Sequence, residues 1–163
     1  MTDDTHPDVR EGTFLVTHAD EASAVLKDVE EGQVHTLAAN PGVETHDAVE
    51  GTVAPEPPMQ VTWRLVAVDR RQSLSVAESS EPPTAQERAI AAEQDVGELT
   101  REPRAGDGEI HVITVPDDEA ETRDAVADVL DDPEATLSRA ARLGVARVEV
   151  RSEPGVVSVR YMP

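Results

Sequence analysis

The sequence predicts an α+β protein: a small N-terminal β-barrel of the OB or SH3-like type, followed by an α+β module that ends in a β-hairpin. Three observations lead there. Across residues 12–76, short alternating apolar runs are separated by turn residues every ~8–12 positions, as in small barrels and sandwiches. Residues 77–83 (Ala-Glu-Ser-Ser-Glu-Pro-Pro) have the composition of a linker. Beyond them the pattern changes, and helix start and stop residues alternate with apolar runs as far as residue 163. The expected organisation is a flexible tail over 1–11, the barrel over 12–76, a linker over 77–83 and the α+β module over 84–163.

Taken in order, residues 1–11 are polar, contain Pro7 and show no periodicity. Thr13–His18 then alternates Phe14 and Val16 with Thr13 and Thr17. A turn at Asp20-Glu21-Ala22 leads to a strand over Ser23–Val29, and Glu30-Glu31-Gly32 makes a hairpin turn into Gln33–Leu37. After Asn40-Pro41-Gly42 comes a strand over Ala48–Ala54. The Pro55-Glu56-Pro57-Pro58 break precedes the strongest strand, Gln60–Asp69, with Val61, Trp63, Leu65 and Ala67 on one face. A short strand over Ser73–Val76 completes the barrel.

In the second half, Thr84-Ala85-Gln86-Glu87 is a capping box that opens a helix to about Gln94, whose one large apolar residue is Ile90. Val96–Gly108 reads as a polar loop. Ile110–Val115 is apolar on both faces, as in a central strand, and Pro116 ends it. Asp117 or Asp118 caps a helix with the stripe Val126, Val129 and Leu130. Asp132 and Pro133 form the cap and first position of another helix, carrying Leu137, Ala140 and Ala141 and stopped by Gly144. A hairpin with a Pro154-Gly155 turn closes the chain, with Ala146, Val148 and Val150 on one strand and Val157, Val159 and Tyr161 on the other.

The charge is unusual. Of 163 residues, 34 are Asp or Glu and 14 are Lys or Arg, a formal net charge of −20 with a pI near 4.4. Lys27 is the one lysine, beside thirteen arginines. Disorder is one route to such a balance. The other is a folded protein adapted to molar salt, where a Debye length of about 3 Å screens self-repulsion. The apolar spacing favours the folded reading, and the acid enrichment, near-loss of lysine and heavy use of Ala and Val resemble haloarchaeal cytosolic proteins. The opening Met1-Thr2-Asp3-Asp4 has neither the basic region nor the apolar stretch of a signal peptide, and the longest apolar runs, Leu65–Val68 and Ala89–Ala92, are four residues long. A soluble, cytoplasmic protein without a membrane partner is the expectation.

Several kinds of chemistry are excluded or unsupported. With no cysteine there is no disulfide framework, thiol nucleophile or cysteine-ligated metal. No Gly-x-Ser-x-Gly elbow, Gly-x-Gly-x-x-Gly turn or phosphate loop is present. His6, His18, His35, His46 and His111 include no i, i+4 pair, and His18 approaches His35 only if the first and third strands adjoin, with Asp20 or Asp47 as a further ligand. Asp117-Asp118 and Asp131-Asp132 are sufficiently explained as helix caps and ends. No catalytic, metal or cofactor site is therefore expected, and a non-enzymatic binding or regulatory module acting on another protein ranks first.

Nucleic-acid binding ranks second. Residues 134–163 hold five arginines and three acids, whereas the preceding 133 hold 9 basic and 31 acidic residues. The order helix, strand, helix, helix, strand, strand is also that of a winged helix, with Asp132–Leu143 as recognition helix and the hairpin as wing. Arg139, Arg142, Arg147, Arg151 and Arg160 form the candidate partner-binding face. The plainer reading makes that face the outer side of a sheet, solvated or paired with acids elsewhere. A barrel that binds single strands would need exposed aromatics and a basic groove, and offers only the island Arg64, Arg70 and Arg71 beside Asp69, with Phe14 and Trp63 placed by their alternation in the core. An enzyme of unrecognised type ranks last.

The stretches Gly12–Ala19, Thr52–Trp63 and Ala141–Pro163 resemble a haloarchaeal protein family of unknown function, along nearly the full length of the chain. The resemblance sharpens the organism class and leaves activity, ligand and site open. Helical and sheet circular-dichroism signals are expected to persist in molar KCl and to weaken on desalting; full structure in low salt would refute the adaptation to salt.

Overall fold

The computed structural model describes residues 9–57 and 61–163. Residues 1–8, within the expected tail, and 58–60, where the strand Gln60–Asp69 was expected to begin, lie outside the described residues. The chain divides into two units, 1–74 and 75–163, each described by itself.

In the first unit β1 (Arg10–Ala19), β2 (Ala24–Asp28), β3 (Val34–Leu37), β4 (Asp47–Pro55) and β5 (Trp63–Ser73) close into a barrel in the order β1-β2-β3-β5-β4. Every pairing is antiparallel except that of β3 with β5. That order is the OB type of the expected small barrel. Phe14, Val16, Leu26, Leu37, Val49 and Val53 fill the interior, with Trp63 and Leu65 packed against them. Burying a side chain of this size contributes roughly 1.5–3 kcal/mol, and the period of two along each strand delivers these residues to one side. β1 starts at Arg10, earlier than its periodicity suggests, because its ladder with β4 continues to Arg10 opposite Val53. Arg10 and Glu11 are thus strand residues and not tail.

The strongest predicted strand begins only at Trp63, and its expected common face holds for Trp63 and Leu65 alone. Val61 is 73% exposed and Ala67 is exposed too. Against β4, β5 carries one extra residue between Leu65 and Ala67 and another between Val68 and Arg70. Each bulge shifts the alternation, so a regular two-residue reading fails past Leu65. Gly51 serves the same crossing, since a Cβ there would stand 2.1 Å from the Ala67 carbonyl oxygen. Buried Asp47 ties the start of β4 to the end of β5, accepting from the Glu44 amide (3.0 Å), Arg71 Nε (2.8 Å) and the Ser73 hydroxyl (3.2 Å).

The second unit holds a five-stranded sheet in the order β6-β9-β10-β8-β7. Its strands are β6 (Ser75–Glu78), β7 (Leu99–Pro103), β8 (Glu109–Thr114), β9 (Arg147–Glu153) and β10 (Val156–Met162). The short strand expected over Ser73–Val76 is divided: Ser73 ends β5, and Ser75–Glu78 pairs parallel to β9 in this sheet. Ala77 and Glu78 are therefore strand and not linker. β7 lies inside the expected polar loop. It is an edge strand reading Leu-Thr-Arg-Glu-Pro, and with only one neighbour to pair with it needs no apolar alternation.

Three helices, α1 (Ala85–Ala92), α2 (Glu119–Asp131) and α3 (Glu134–Leu143), flank the sheet. The capping box forms as expected: the Thr84 hydroxyl accepts from the Glu87 amide, and Glu87 Oε1 accepts from the Thr84 amide. Asp118 caps α2. Asp132 does not cap α3; it ends α2, its amide donating to the Asp128 carbonyl, and Pro133 stands before α3 without a side-chain cap. Gly144 stops α3 in the left-handed conformation (φ 74°).

Ala91 of α1 packs on Val112 and Val156, on one face of the sheet. On the other face, Arg123 of α2 reaches Glu78 and Arg139 of α3 reaches Glu109. The order is helix, sheet, helix, and α3 buries Leu137, Ser138, Ala140 and Ala141. The hairpin considered as a wing, β9–β10, forms the middle of the five-stranded sheet, with a strand neighbour on either side.

His35 is 1% exposed inside the barrel, its ring edge-on to Trp63 (4.3 Å between centroids) and Phe14 (5.7 Å), with neither ring nitrogen hydrogen-bonded. Burial holds its pKa below the ordinary histidine value, outweighing the attraction of Asp28. The unfolded chain therefore takes up a proton before the folded barrel does, so barrel stability is level above about pH 6.5 and falls as pH drops below it. Fluorescence of Trp63, the one tryptophan, reports this unit. In urea titrations its midpoint is expected to fall from pH 7 to pH 5.5, and less steeply in His35→Leu.

Candidate functional site

Along β9 and β10 the side chains divide by face. Val148, Val150, Val157, Val159 and Tyr161 point to the α2–α3 side, while Arg147, Glu149, Arg151, Glu153, Ser158 and Arg160 point to the α1 side. The structure thus brings Arg147, Arg151 and Arg160 onto one face. Arg139 and Arg142 belong to α3, on the opposite side of the sheet, so the five arginines do not form one surface.

Four of the five are engaged within the chain. Arg160 Nη1 donates to Glu87 Oε2 at 2.7 Å, where the two side chains are 15% and 2% exposed. Arg151 lies between Glu149 (2.5 Å) and Glu81 (2.9 Å). Arg147 Nε donates to the Pro163 carbonyl (3.0 Å). Arg139 grips Glu109 with two bonds of 3.1 and 2.5 Å. Arg142 is exposed in the last turn of α3, where a cation suits the helix dipole. From α1, Arg88 adds a fork onto Glu153 at 3.0 and 3.1 Å.

Beyond Arg139, Glu109 also meets His111 Nε2 at 2.7 Å, and the His111 ring leans on Tyr161, 4.7 Å between centroids. The Arg139 guanidinium holds Glu109 below the usual carboxylate range. Burial keeps His111 low despite Glu109, and burial raises the Tyr161 phenol. This is a structural network under α3. A cleft of about 430 Å³ lies between the start of α1 and the β7–β8 turn, over Ile90, Ile110, Arg104 and Arg160. Of its charged groups, Glu87 is engaged by Thr84 and Arg160 and Arg104 by the Asp107 carbonyl, and Glu102 also lines it. Its lining holds no histidine, serine, cysteine or lysine.

His18 and His35 are not brought together. β2 separates β1 from β3, so His18 and His35 do not adjoin; His18 meets exposed Asp20 at 3.4 Å, and His35 belongs to the core. His6 lies outside the described residues. Among the described residues no three histidine, aspartate or glutamate side chains are placed to share a metal ion. In the small basic island, Arg70 pairs with Glu50 (3.3 Å) and Arg71 with Asp47, and Arg64 is exposed. The sequence reading missed the exposure of Val66 (48%) and Val68 (52%) beside them. Their place out of phase with Trp63 and Leu65 was the available signal.

Glu87 is the pivot of the α1 face. Burial acts to raise its pKa, but the Thr84 amide and Arg160 together hold it below the ordinary value. The stability it contributes is present above about pH 4.3 and is lost as pH falls through its lowered folded value. Glu87→Gln keeps an acceptor for the capping box and removes only the charge, leaving Arg160 buried without its counter-ion. In urea denaturation at neutral pH this is expected to cost the second unit about 3 kcal/mol and to flatten its acid dependence.

No helix among the described residues is long and apolar enough to cross a membrane. No curated protein and no solved structure matches the chain. A family described as one of unknown function, DUF5812, matches residues 10–152, which take in the whole barrel and the second unit as far as β9. The chain belongs to that family.

Proposed function

We propose that the protein is a non-enzymatic binding module of the cytoplasm of a salt-adapted haloarchaeal cell, and that its partner is another polypeptide. The observation that carries this reading is the internal engagement of Arg139, Arg147, Arg151 and Arg160. Phosphate backbones are held by cations free to replace counter-ions, and these four already donate to oxygens of their own chain. Stacking gives no substitute: in the barrel Phe14 is fully buried and Trp63 packs on the core, and in the second unit Tyr161 is 4% exposed. Nucleic-acid binding through the arginine face or the barrel is the second reading for these reasons. Enzymatic activity ranks third, because the sequence carries no nucleophile elbow, dinucleotide turn or phosphate loop.

Protein isolated in about 1 M KCl, where the Debye length is near 3 Å, is expected to keep its partner through nuclease treatment and to carry no nucleic-acid absorbance. Arg160 is unsuitable for charge reversal because it supports the fold, so the control is Arg142→Glu with Arg147→Glu. Oligo-dT or oligo-U retained in that salt and released by the double variant would overturn the reading in favour of nucleic acid.

A further inference from the structure

β5 pairs with β4 along its whole length, but with β3 only at Leu37 opposite Trp63, supplemented by the Ala38 amide to the Trp63 carbonyl (2.9 Å). Past Trp63, its second side has no strand neighbour among the described residues. We infer that this edge, Leu65–Asp69, is the docking site for an extended acidic segment of a partner protein, which adds to the barrel as a sixth strand. The inference rests on the reading above that the partner is a polypeptide.

Three features specify the occupant. An unpaired row of amides and carbonyls is the template on which another strand adds. Val66 and Val68 give that strand apolar contacts in the middle of the edge. Arg64 and Arg70 stand exposed on either side of the valines, and β5 as a whole carries three arginines and one aspartate in a chain of net charge −20. Arg70 is shared with Glu50 across an exposed 3.3 Å pair, while Arg64 makes no ion pair among the described residues. Opposite charges across a strand pair stabilise it and like charges oppose it, so the strand that fits carries acids toward its ends.

A second copy of this chain fits poorly. In an antiparallel pairing of two β5 edges centred on Ala67, Arg64 of one copy falls opposite Arg70 of the other, and a half-step shift sets it opposite Arg71. The two bulges limit the added strand to a few residues, because they break the regular ladder at Val66 and Asp69.

The test uses the full chain in about 1 M KCl and a fluorescein-labelled peptide alternating valine with glutamate, read by anisotropy, with amide exchange of Leu65–Asp69 followed by NMR. The peptide is expected to bind and to slow exchange at those amides. An N-methylated version, which cannot complete the ladder, and a valine–lysine version are expected not to bind. Arg64→Glu is expected to weaken binding about tenfold, with Trp63 fluorescence and circular dichroism unchanged. Equal binding of the N-methylated peptide, indifference to Arg64→Glu, or no binding at all would overturn strand addition at this edge. If Arg64→Glu nevertheless keeps the nuclease-resistant partner, the polypeptide reading stands and the site lies elsewhere. Displacement of the peptide by oligo-dT would overturn both.

Discussion

The pair between Glu87 and Arg160 is the contact on which the second unit turns. One carboxylate finishes the first turn of α1 by capping the Thr84 amide and, with its other oxygen, meets the arginine of β10. α1 is eight residues long with a single large apolar side chain, too short to hold itself in water. Its place on the sheet follows from that ion pair, from the Arg88 fork onto Glu153 and from Ala91 packed on Val112 and Val156. A buried ion pair adds little net stability over a well-packed hydrophobic pair, but breaking it strands a charge. Its effect is to admit one placement of α1 and to penalise the rest.

The same economy governs the basic end of the sequence. Thirteen arginines among 34 acids are spent mainly on joining elements distant in the chain: Arg151 to Glu81, Arg123 to Glu78, Arg139 to Glu109, Arg71 to Asp47. The guanidinium, a planar fork with weak hydration, suits such joints better than an ammonium group does. A local surplus of arginine in an acidic chain therefore records where the fold is tied together before it records where a ligand sits.

Much of the fold was legible, because period two and cap chemistry are local properties. Phe14 and Val16 announced the barrel interior, Thr84 and Glu87 the start of α1, Gly144 the end of α3, and Val148 with Val157 the covered face of the hairpin. What escaped was decided by distant partners. β7 has no periodicity of its own and exists because Leu99–Pro103 finds β8. Ser75–Glu78 reads equally well as a sixth barrel strand or as linker until β9 claims it. The bulges of β5 answer to β4 and Gly51, so the exposure of Ala67 was hidden by an alternation that stops at Leu65. The arginine face was visible as a cluster, but the acids that occupy it, Glu81, Glu87 and Glu109, come from 30 to 73 positions away.

Closure of the barrel through the single pairing of Leu37 with Trp63 gives the wall one seam much weaker than the rest. Elsewhere neighbouring strands share four or more paired positions. Under thermal fluctuation or mechanical load such a cylinder parts first along its shortest join, and it parts as a curled sheet, with the other four ladders intact and the Phe14–His35–Trp63 stack uncovered. The barrel is in that sense a rolled sheet held by one clasp.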